Sequence, residues 1–274
     1  FTLGRQAVSW GSGIVFQPMD LFSPFSPTVV DRDYKAGDDL LLIDRLLANG
    51  QDLQFLHVVR RDLDNQVSSA VASTAVKWHG YFGSVEFELV GARHYDEPVF
   101  GVSLRAPIGT ALMRTDIVAS RNLAGDWRVS GILNADVTFA LGERNAYVYA
   151  EYFHNGWGVG ELTSAAELPT ELQERLLRGE LFNLMRNYLA VGGNYEWHPL
   201  LNQNVTLIGN LHDASVLLQM QLSYQPGDNQ SIDLGWIEPL GRAGDEFGGV
   251  RVLPDAGVTA AGASRAYLRW VYYL

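Results

Sequence analysis

The last eleven residues of the chain, 264-274, alternate between apolar and polar side chains. One side of the alternation includes the charged residues Arg265 and Arg269. The other side is apolar throughout and consists of Ala266, Leu268, Trp270, Tyr272 and Leu274. A period of two residues is typical of a β-strand, because successive side chains of a strand point to opposite faces. The sequence therefore predicts a final strand with one apolar and one polar face.

The same alternation recurs along the chain and predicts fourteen strands. They are 1-10, 40-48, 52-61, 70-81, 84-95, 99-106, 110-120, 127-140, 146-156, 188-198, 203-211, 216-225, 231-239 and 264-274. The dipeptide Asn49-Gly50 is a strong signal for a tight hairpin. One short helix is expected at 168-178, where Pro169 and Thr170 are start signals and Gln173 stands in the capping-box position.

The lengths of the connections alternate with the parity of the strands. Three long connections, 11-39, 157-186 and 240-262, fall at one end of the strands, and the connections predicted at the other end are short. Outer-membrane barrels sort their loops in this way, whereas a soluble sandwich has no reason to do so. We therefore expect an all-β fold: one antiparallel transmembrane β-barrel domain over 1-274, with about 14 strands, a short helix in a long outer loop and both chain ends on the periplasmic side.

The final strand also carries an aromatic residue, Tyr272, at the third position from the end. In this respect it resembles the closing strand of bacterial outer-membrane β-barrels, which the barrel assembly machinery reads. Leu274 departs from that pattern, in which the last residue is usually Phe or Trp. The resemblance implies a location in the cell outer membrane, with lipid, lipopolysaccharide and the assembly machinery as partners. Leu133, Leu218, Leu222 and Leu268, together with Trp127 and Trp270, are then expected to face lipid.

A second resemblance is carried by a motif near the start of the chain. It comprises Gly4-Arg5-Gln6, Trp10-Gly11, Pro18-x-Asp20-x-Phe22-x-Pro24, Asp31-Arg32 and Lys35-x-Gly37. The motif resembles a largely uncharacterised family of porin-like outer-membrane proteins of Gram-negative bacteria. The resemblance implies further strands ahead of Gly4, which would raise the total to 16-18.

Polar side chains predicted on the inner face indicate a water-filled pore. The charged pore-lining candidates are Lys77, Glu86, Glu88, Arg105, Arg114, Asp116, Arg128, Asp136, Glu151, Arg265 and Arg269. Their charges nearly balance, so we expect weak ion selectivity from the wall. The first loop, 11-39, is stiffened by proline and is the expected constriction, with Asp20, Asp31, Arg32, Asp33 and Lys35 as its charged residues.

The function expected from these features is passive diffusion of small hydrophilic solutes or ions, without catalysis. A net charge of -11 argues against nucleic acid as a partner. Without cysteine no thiolate metal site is available, and no histidine cluster has the spacing of metal ligands, so neither a metal nor a cofactor is expected. Two alternatives stay open. In the first, the barrel is a sheath for a partner protein, such as an electron-carrying cytochrome in its lumen or a further subunit. In the second, it is a hydrolase that uses residues at its rim, namely Asp62, Asp64, His212 and Asp213.

Overall fold

A computed structural model describes residues 1–22, 24–27, 35, 37–253, 258–260 and 262–272. Its strands are β1 (Thr2–Gln6), β2 (Asp38–Leu46), β3 (Asp52–Val59), β4 (Ser73–Phe82), β5 (Val85–His94), β6 (Glu97–Ile108), β7 (Ala111–Arg121), β8 (Trp127–Leu141), β9 (Arg144–His154), β10 (Asn187–His198), β11 (Leu201–Asn210), β12 (Val216–Gly227), β13 (Gln230–Leu240), β14 (Val250–Leu253), β15 (Val258–Ala260) and β16 (Arg265–Tyr272). The first thirteen strands and β16 form one antiparallel sheet in chain order. The expected fourteen strands of the sheet are thereby confirmed.

The connections are sorted by length between the two ends of the sheet. At the end that we call the turn end, β4 and β5, β6 and β7, β8 and β9, β10 and β11, and β12 and β13 are joined by only two residues each. The opposite end, the loop end, carries the three longest connections, 7-37, 155-186 and 241-264. Because neighbouring strands are antiparallel, the chain enters β1 and leaves β16 at the turn end.

The short helix α1 (Thr170–Leu177) is confirmed, and none of the described helices is long and apolar enough to cross a membrane. Its start differs in detail from the expectation. Pro169 is the N-cap residue, and no side chain caps the helix there. The Gln173 amide instead donates a hydrogen bond of 2.7 Å to the Leu168 carbonyl oxygen. The prediction of a capping box was therefore wrong, because the Gln173 side chain binds Leu168, the residue before the N-cap.

The expected closure of the sheet is not found. β1 and β16 are the two edges, and no pairing joins them within the described residues. Arg5 of β1 instead pairs with Asp39 on β2, and Arg269 of β16 pairs with Asp233 on β13. The first strand is also shorter than predicted, because the chain leaves the sheet after Gln6 to bury Val8 and Trp10.

The third long connection is not a plain loop. β14 pairs with β15 in a separate two-stranded sheet at 250–260. The sequence analysis missed this hairpin, since its strands have only four and three residues and the region is rich in glycine and alanine.

The two faces of the sheet have opposite chemistry. The outer face is apolar and accessible: Leu133, Leu234 and Leu268 expose 52%, 51% and 72% of their surface. Trp127 and Trp270 are also exposed, and the register places Leu218 and Leu222 on this same face, opposite Leu207 and Leu234. The inner face buries polar residues, among them Lys77, Glu88, Ser103, Asp116, Asn134, Glu151 and Gln219. This distribution is the reverse of a soluble protein, whose charged side chains are almost never fully buried without a partner.

The apolar core lies on the inner face, where loops pack against strands. One cluster joins the first loop to β2–β7 and contains Trp10, Met19, Phe22, Leu56 and Val99. A second cluster joins the same loop to β8–β13 and contains Phe16, Ile132, Phe153, Tyr188 and Ile208. The sheet therefore curves around the first loop, and the loop divides the space that it encloses.

Candidate pore and its crossing loop

The described first loop, 7-22 and 24-27, runs across the inner face and is called the crossing loop below. At one end the Trp10 indole N–H donates a hydrogen bond of 3.1 Å to Gln54 on β3. At the other end Phe16 stacks on Phe153 of β9, and Gln219 of β12 donates to the Pro27 carbonyl oxygen at 2.7 Å. These contacts span ten strands, which places the crossing loop in the path of anything that moves along the inner face.

The tightest attachment of the crossing loop is to Glu151 on β9. The Glu151 carboxylate accepts backbone N–H groups of three consecutive residues, Ile14 at 2.7 Å, Val15 at 2.9 Å and Phe16 at 2.7 Å. The Asn134 amide donates a fourth hydrogen bond to it at 2.8 Å. Glu151 is 0% exposed, and these four donors replace the water that a buried carboxylate loses.

Two further carboxylates hold the start of the crossing loop. Asp116 accepts the Ser12 N–H at 2.8 Å and the Ser12 hydroxyl at 2.6 Å, and Glu88 accepts the Gly11 N–H at 3.1 Å. Arg105 bridges the two sides, since it donates to the Gly11 carbonyl oxygen at 2.7 Å and to Glu88 at 3.1 Å. The sequence predicted that Glu88, Asp116 and Glu151 line a pore. In the structure these three carboxylates bind the crossing loop.

A notch in the wall receives an apolar side chain of the crossing loop. Gly101 on β6 faces inward, and a Cβ atom there would lie 2.3 Å from the Met19 sulfur. Met19 is 1% exposed. Only glycine leaves room for this close approach.

The charged constriction candidates lie on this same segment. Asp20 forms an ion pair with Lys35, whose ammonium group also donates to Ser9 at 2.7 Å and to Gln17 at 3.0 Å. Lys35 therefore ties the loop to itself and not to the wall. Asp31, Arg32 and Asp33 lie outside the described residues.

The other charged candidates on the middle of the wall are paired. Arg105 contacts Glu86 at 2.9 Å, and Lys77 lies 3.8 Å from Glu88. The remaining pairs are Arg114 with Asp136 and Arg269 with Asp233. Arg128 and Arg265 differ, because both are exposed at the loop ends of β8 and β16.

These contacts distinguish two parts of the inner face. We call the inner face of β4–β9 that holds the crossing loop the covered wall, represented by Glu88, Asp116, Asn134 and Glu151. We call the part beside it the open wall, and it consists of Tyr147, Tyr149, Asn194, Asn204, Thr206, Gln221 and Tyr267 on β9–β12 and β16. Cross-strand register joins Tyr147 to Asn194, Asn194 to Asn204 and Asn204 to Gln221. The open wall is partly or fully accessible, whereas the covered wall is buried.

The second long connection packs on the loop end of the covered wall. Arg175 of α1 forms an ion pair with Glu97, donates to Glu180 at 2.8 Å and lies 3.8 Å above the Trp157 ring. Burial raises the pKa of Glu180, but the hydrogen bond with His94 and the charges of His94 and Arg175 outweigh it, so the pKa is below its usual value. This network anchors the helix to the loop end of the covered wall.

The third long connection is fixed by Glu246. Its carboxylate accepts the Leu184 N–H at 2.7 Å, the Tyr188 hydroxyl at 2.5 Å and the Asn210 amide at 2.9 Å. Burial, together with the negative charge of Asp213, raises the pKa of Glu246 to about 7, although these hydrogen bonds oppose the shift.

The rim residues considered for hydrolysis stabilise turns. Asp62 accepts the N–H groups of Asp64 at 3.1 Å and Gln66 at 3.0 Å in the β3–β4 connection. In the β11–β12 connection, Asp213 accepts the hydroxyl of Ser215 at 2.7 Å. No contact joins the two groups in the described part of the chain, and no three His, Asp or Glu side chains there are arranged to hold a metal ion.

Sequence reasoning missed the role of the backbone in this site. Ser12, Ile14 and Val15 carry no recognisable motif for carboxylate binding, and their partners are about 90 to 140 residues away. Gly101 was the available signal, since a lone glycine within a strand indicates close approach by another part of the chain.

Comparison with known proteins adds one similar structure. No protein-family model matches the chain, and no curated protein matches it. The motif over 4-37 therefore stays a resemblance. The structure is similar to that of the outer-membrane channel DcaP of Acinetobacter baumannii, with 10% sequence identity and a TM-score of 0.40, over 93% of this chain and 88% of that chain.

Proposed function

We propose that the protein is an outer-membrane channel for passive diffusion of small hydrophilic solutes, narrowed by the crossing loop and without catalytic activity. The observation that carries the proposal is the reversed chemistry of the sheet, with exposed leucines outside and hydrogen-bonded carboxylates inside. An apolar outer face is stable in lipid, and a polar inner face requires water or polar partners.

Membrane insertion also requires a continuous wall. The edge strands β1 and β16 expose Leu3, Leu268 and Trp270. Unpaired N–H and C=O groups at such an edge are costly in hydrocarbon, which admits only helices and closed barrels. The proposal therefore includes closure of the gap between β1 and β16 in the membrane.

The crossing loop favours a pore over a sheath. A sheath needs an empty lumen for its partner, whereas this loop spans the inner face from Gln54 to Gln219. The hydrolase alternative has no observation in its favour, because its Asp and His residues are engaged in separate turns. Lipid, lipopolysaccharide and the assembly machinery remain the proposed partners, without nucleic acid or cofactor.

The test is single-channel conductance of the purified protein in planar bilayers. We expect discrete channels, and a larger conductance when residues 14-36 are deleted. A point variant separates loss of the loop from loss of the fold. Glu151→Gln keeps the shape of the side chain but replaces one of the two oxygens that accept the three N–H groups. The substitution should therefore raise the conductance or its fluctuations.

Glu161→Gln is the matched control, because Glu161 is an exposed carboxylate in the second connection. It should conduct like the wild type. Absence of channels from wild type and deletion variant alike would reject the pore. If the conductance is unchanged by the deletion and by Glu151→Gln, the protein is a pore but the crossing loop is not its constriction.

A further inference from the structure

We infer that the open wall binds uncharged, polyhydroxylated solutes of the carbohydrate class as they pass through the channel. The inference rests on the proposed function and adds to it the chemistry of the solute. The observation behind it is a surface of uncharged polar side chains beside the crossing loop, in which the Asn194 and Asn204 amides form no hydrogen bond with the described part of the protein.

One row of this surface runs across six strands at one height. Tyr147, Asn194, Asn204 and Gln221 follow one another by register, and Gly235 and Tyr267 continue the row on β13 and β16. None of these residues is charged. The adjacent row toward the loop end holds the uncharged residues Tyr149, Gly192, Thr206 and Gln219, and it has Asp136 on β8 and Arg265 on β16 at its two ends.

The charges beside these rows are already neutralised. Asp136 pairs with Arg114, and Asp233 accepts from Arg269 at 2.7 Å. Glu196, the inward carboxylate nearest the turn end, accepts from the Asn145 amide at 3.2 Å and lies 3.9 Å from Arg144. Within the described residues, the charges that border the row of Asn194 and Asn204 are thus paired, and Arg265 is exposed one row farther toward the loop end of β16. The row of Asn194 and Asn204 itself offers an ion no charge to replace its hydration.

Two of the three amides of the open wall have unused donors and acceptors, and the third, Gln221, donates to Asp233 at 3.4 Å. Asn194 and Asn204 are register partners on the same face, and neither side chain forms a hydrogen bond with the described part of the protein. An amide group offers two donors and an acceptor, which matches the vicinal hydroxyls of a sugar. By contrast, the Asn134 amide of the covered wall is bound to Glu151 at 2.8 Å and is 2% exposed.

The tyrosines supply the apolar part of the surface. The tip of the Tyr149 ring lies across Gly192, where a Cβ would be 2.5 Å from the hydroxyl, and the tip of Tyr267 lies across Gly235, where a Cβ would be 2.1 Å from the ring. Glycine at both places lets the rings lie along the wall. A sugar ring presents C–H groups on its face and hydroxyls on its rim, which suit an aromatic body beside polar groups.

The experiment measures interruption of the single-channel current by added solutes. Maltotriose is the neutral probe, and a galacturonic acid trimer of similar size is the anionic probe. We expect maltotriose to block in a saturable manner and the acidic trimer to block at least several-fold more weakly. The double variant Asn194→Leu and Asn204→Leu should raise the half-blocking concentration of maltotriose roughly threefold to tenfold, as expected for loss of one or two hydrogen bonds.

Two controls keep the outcomes distinct. Asn194→Asp retains the size of the side chain and should also weaken the block by maltotriose, so the inference does not depend on the leucine variant folding. The channel of the Glu161→Gln variant should have the same half-blocking concentration of maltotriose as the wild type. No channel at all would overturn the proposed function. A conducting channel that maltotriose does not block, or whose block is unchanged by both asparagine substitutions, would overturn this inference alone.

Discussion

The covered and open walls belong to one sheet and differ in what satisfies their polar groups. On the covered wall, buried carboxylates such as Glu151 and Asp116 are saturated by the backbone of the crossing loop. On the open wall, amides such as Asn194 and Asn204 are left to solvent. The charged residues that suggested an ion pathway therefore serve structure, and the uncharged residues border the free space. An inward charge indicates a permeation surface only where no part of the protein has already bound it.

The largest expected effect comes from removing the main anchor of the covered wall. Glu151→Ala leaves three backbone donors and the Asn134 amide without their acceptor. Four stranded donors at about 1–2 kcal/mol each lower the free energy of unfolding by about 4–8 kcal/mol. Urea unfolding in lipid vesicles measures it. Asn204→Ala on the open wall is the control, because Asn204 is exposed, and it should stay within about 0.5 kcal/mol of the wild type. Equal losses in the two variants would abolish the distinction between the walls.

The next effect is a loss of stability that should be the same behind the covered wall and behind the open wall. Leu133→Arg behind the covered wall and Leu234→Arg behind the open wall both place a charge on the outer face, since these leucines are 52% and 51% exposed. In a bilayer each should cost about 2–4 kcal/mol near mid-membrane. If the same unfolding assay shows a loss for only one of them, the outer face is not uniformly in contact with lipid.

A smaller effect tests how the crossing loop is seated. Gly101→Val places a Cβ atom where the Met19 sulfur lies, and overpacking of this kind costs about 1–3 kcal/mol. In a Met19→Ala background the same substitution should cost less, because the notch is then empty. A double-mutant cycle on unfolding free energies measures the coupling. A cost that is independent of Met19 would show that the loop does not occupy the notch.

The last effect concerns pH and the third long connection, which contains Glu246. The pKa of Glu246 rises from 4.5 to about 7, so the folded protein holds this proton more tightly than the unfolded chain does. The resulting stabilisation is fully present below about pH 4.5 and is lost as pH rises through about 7. Between pH 5 and 8 it should decrease by about 2–3 kcal/mol. Glu246→Gln should flatten this dependence in thermal unfolding, and an unchanged slope would contradict the assignment.

The sequence was sufficient for what repeats along the chain. Alternation in 127-139 and the dipeptide Asn49-Gly50 predicted strands and turns, because strand faces and tight hairpins are encoded locally. The amphipathic segment that became Thr170–Leu177 was found for the same reason. Fourteen strands in chain order followed from these local signals.

The candidate site was less predictable, because it depends on contacts between distant residues. Glu151 and Ile14 are 137 residues apart, and nothing in either neighbourhood identifies the other. The pattern showed that Glu151 faces inward but not that backbone N–H groups would cover it. The hairpin of β14 and β15 was missed for a different reason, since three or four residues are too few to establish an alternation.

The anchoring of the crossing loop also imposes an order of assembly. Ile14 is synthesised before β2, yet its partner Glu151 belongs to the ninth strand. Contacts of such long sequence separation form late, because the intervening chain must first be organised. The strands must therefore be laid side by side before the loop has a surface to bind. If the protein acts as the channel proposed above, a newly inserted molecule would pass through an unobstructed stage in which solutes cross most easily, and docking of the loop would end that stage.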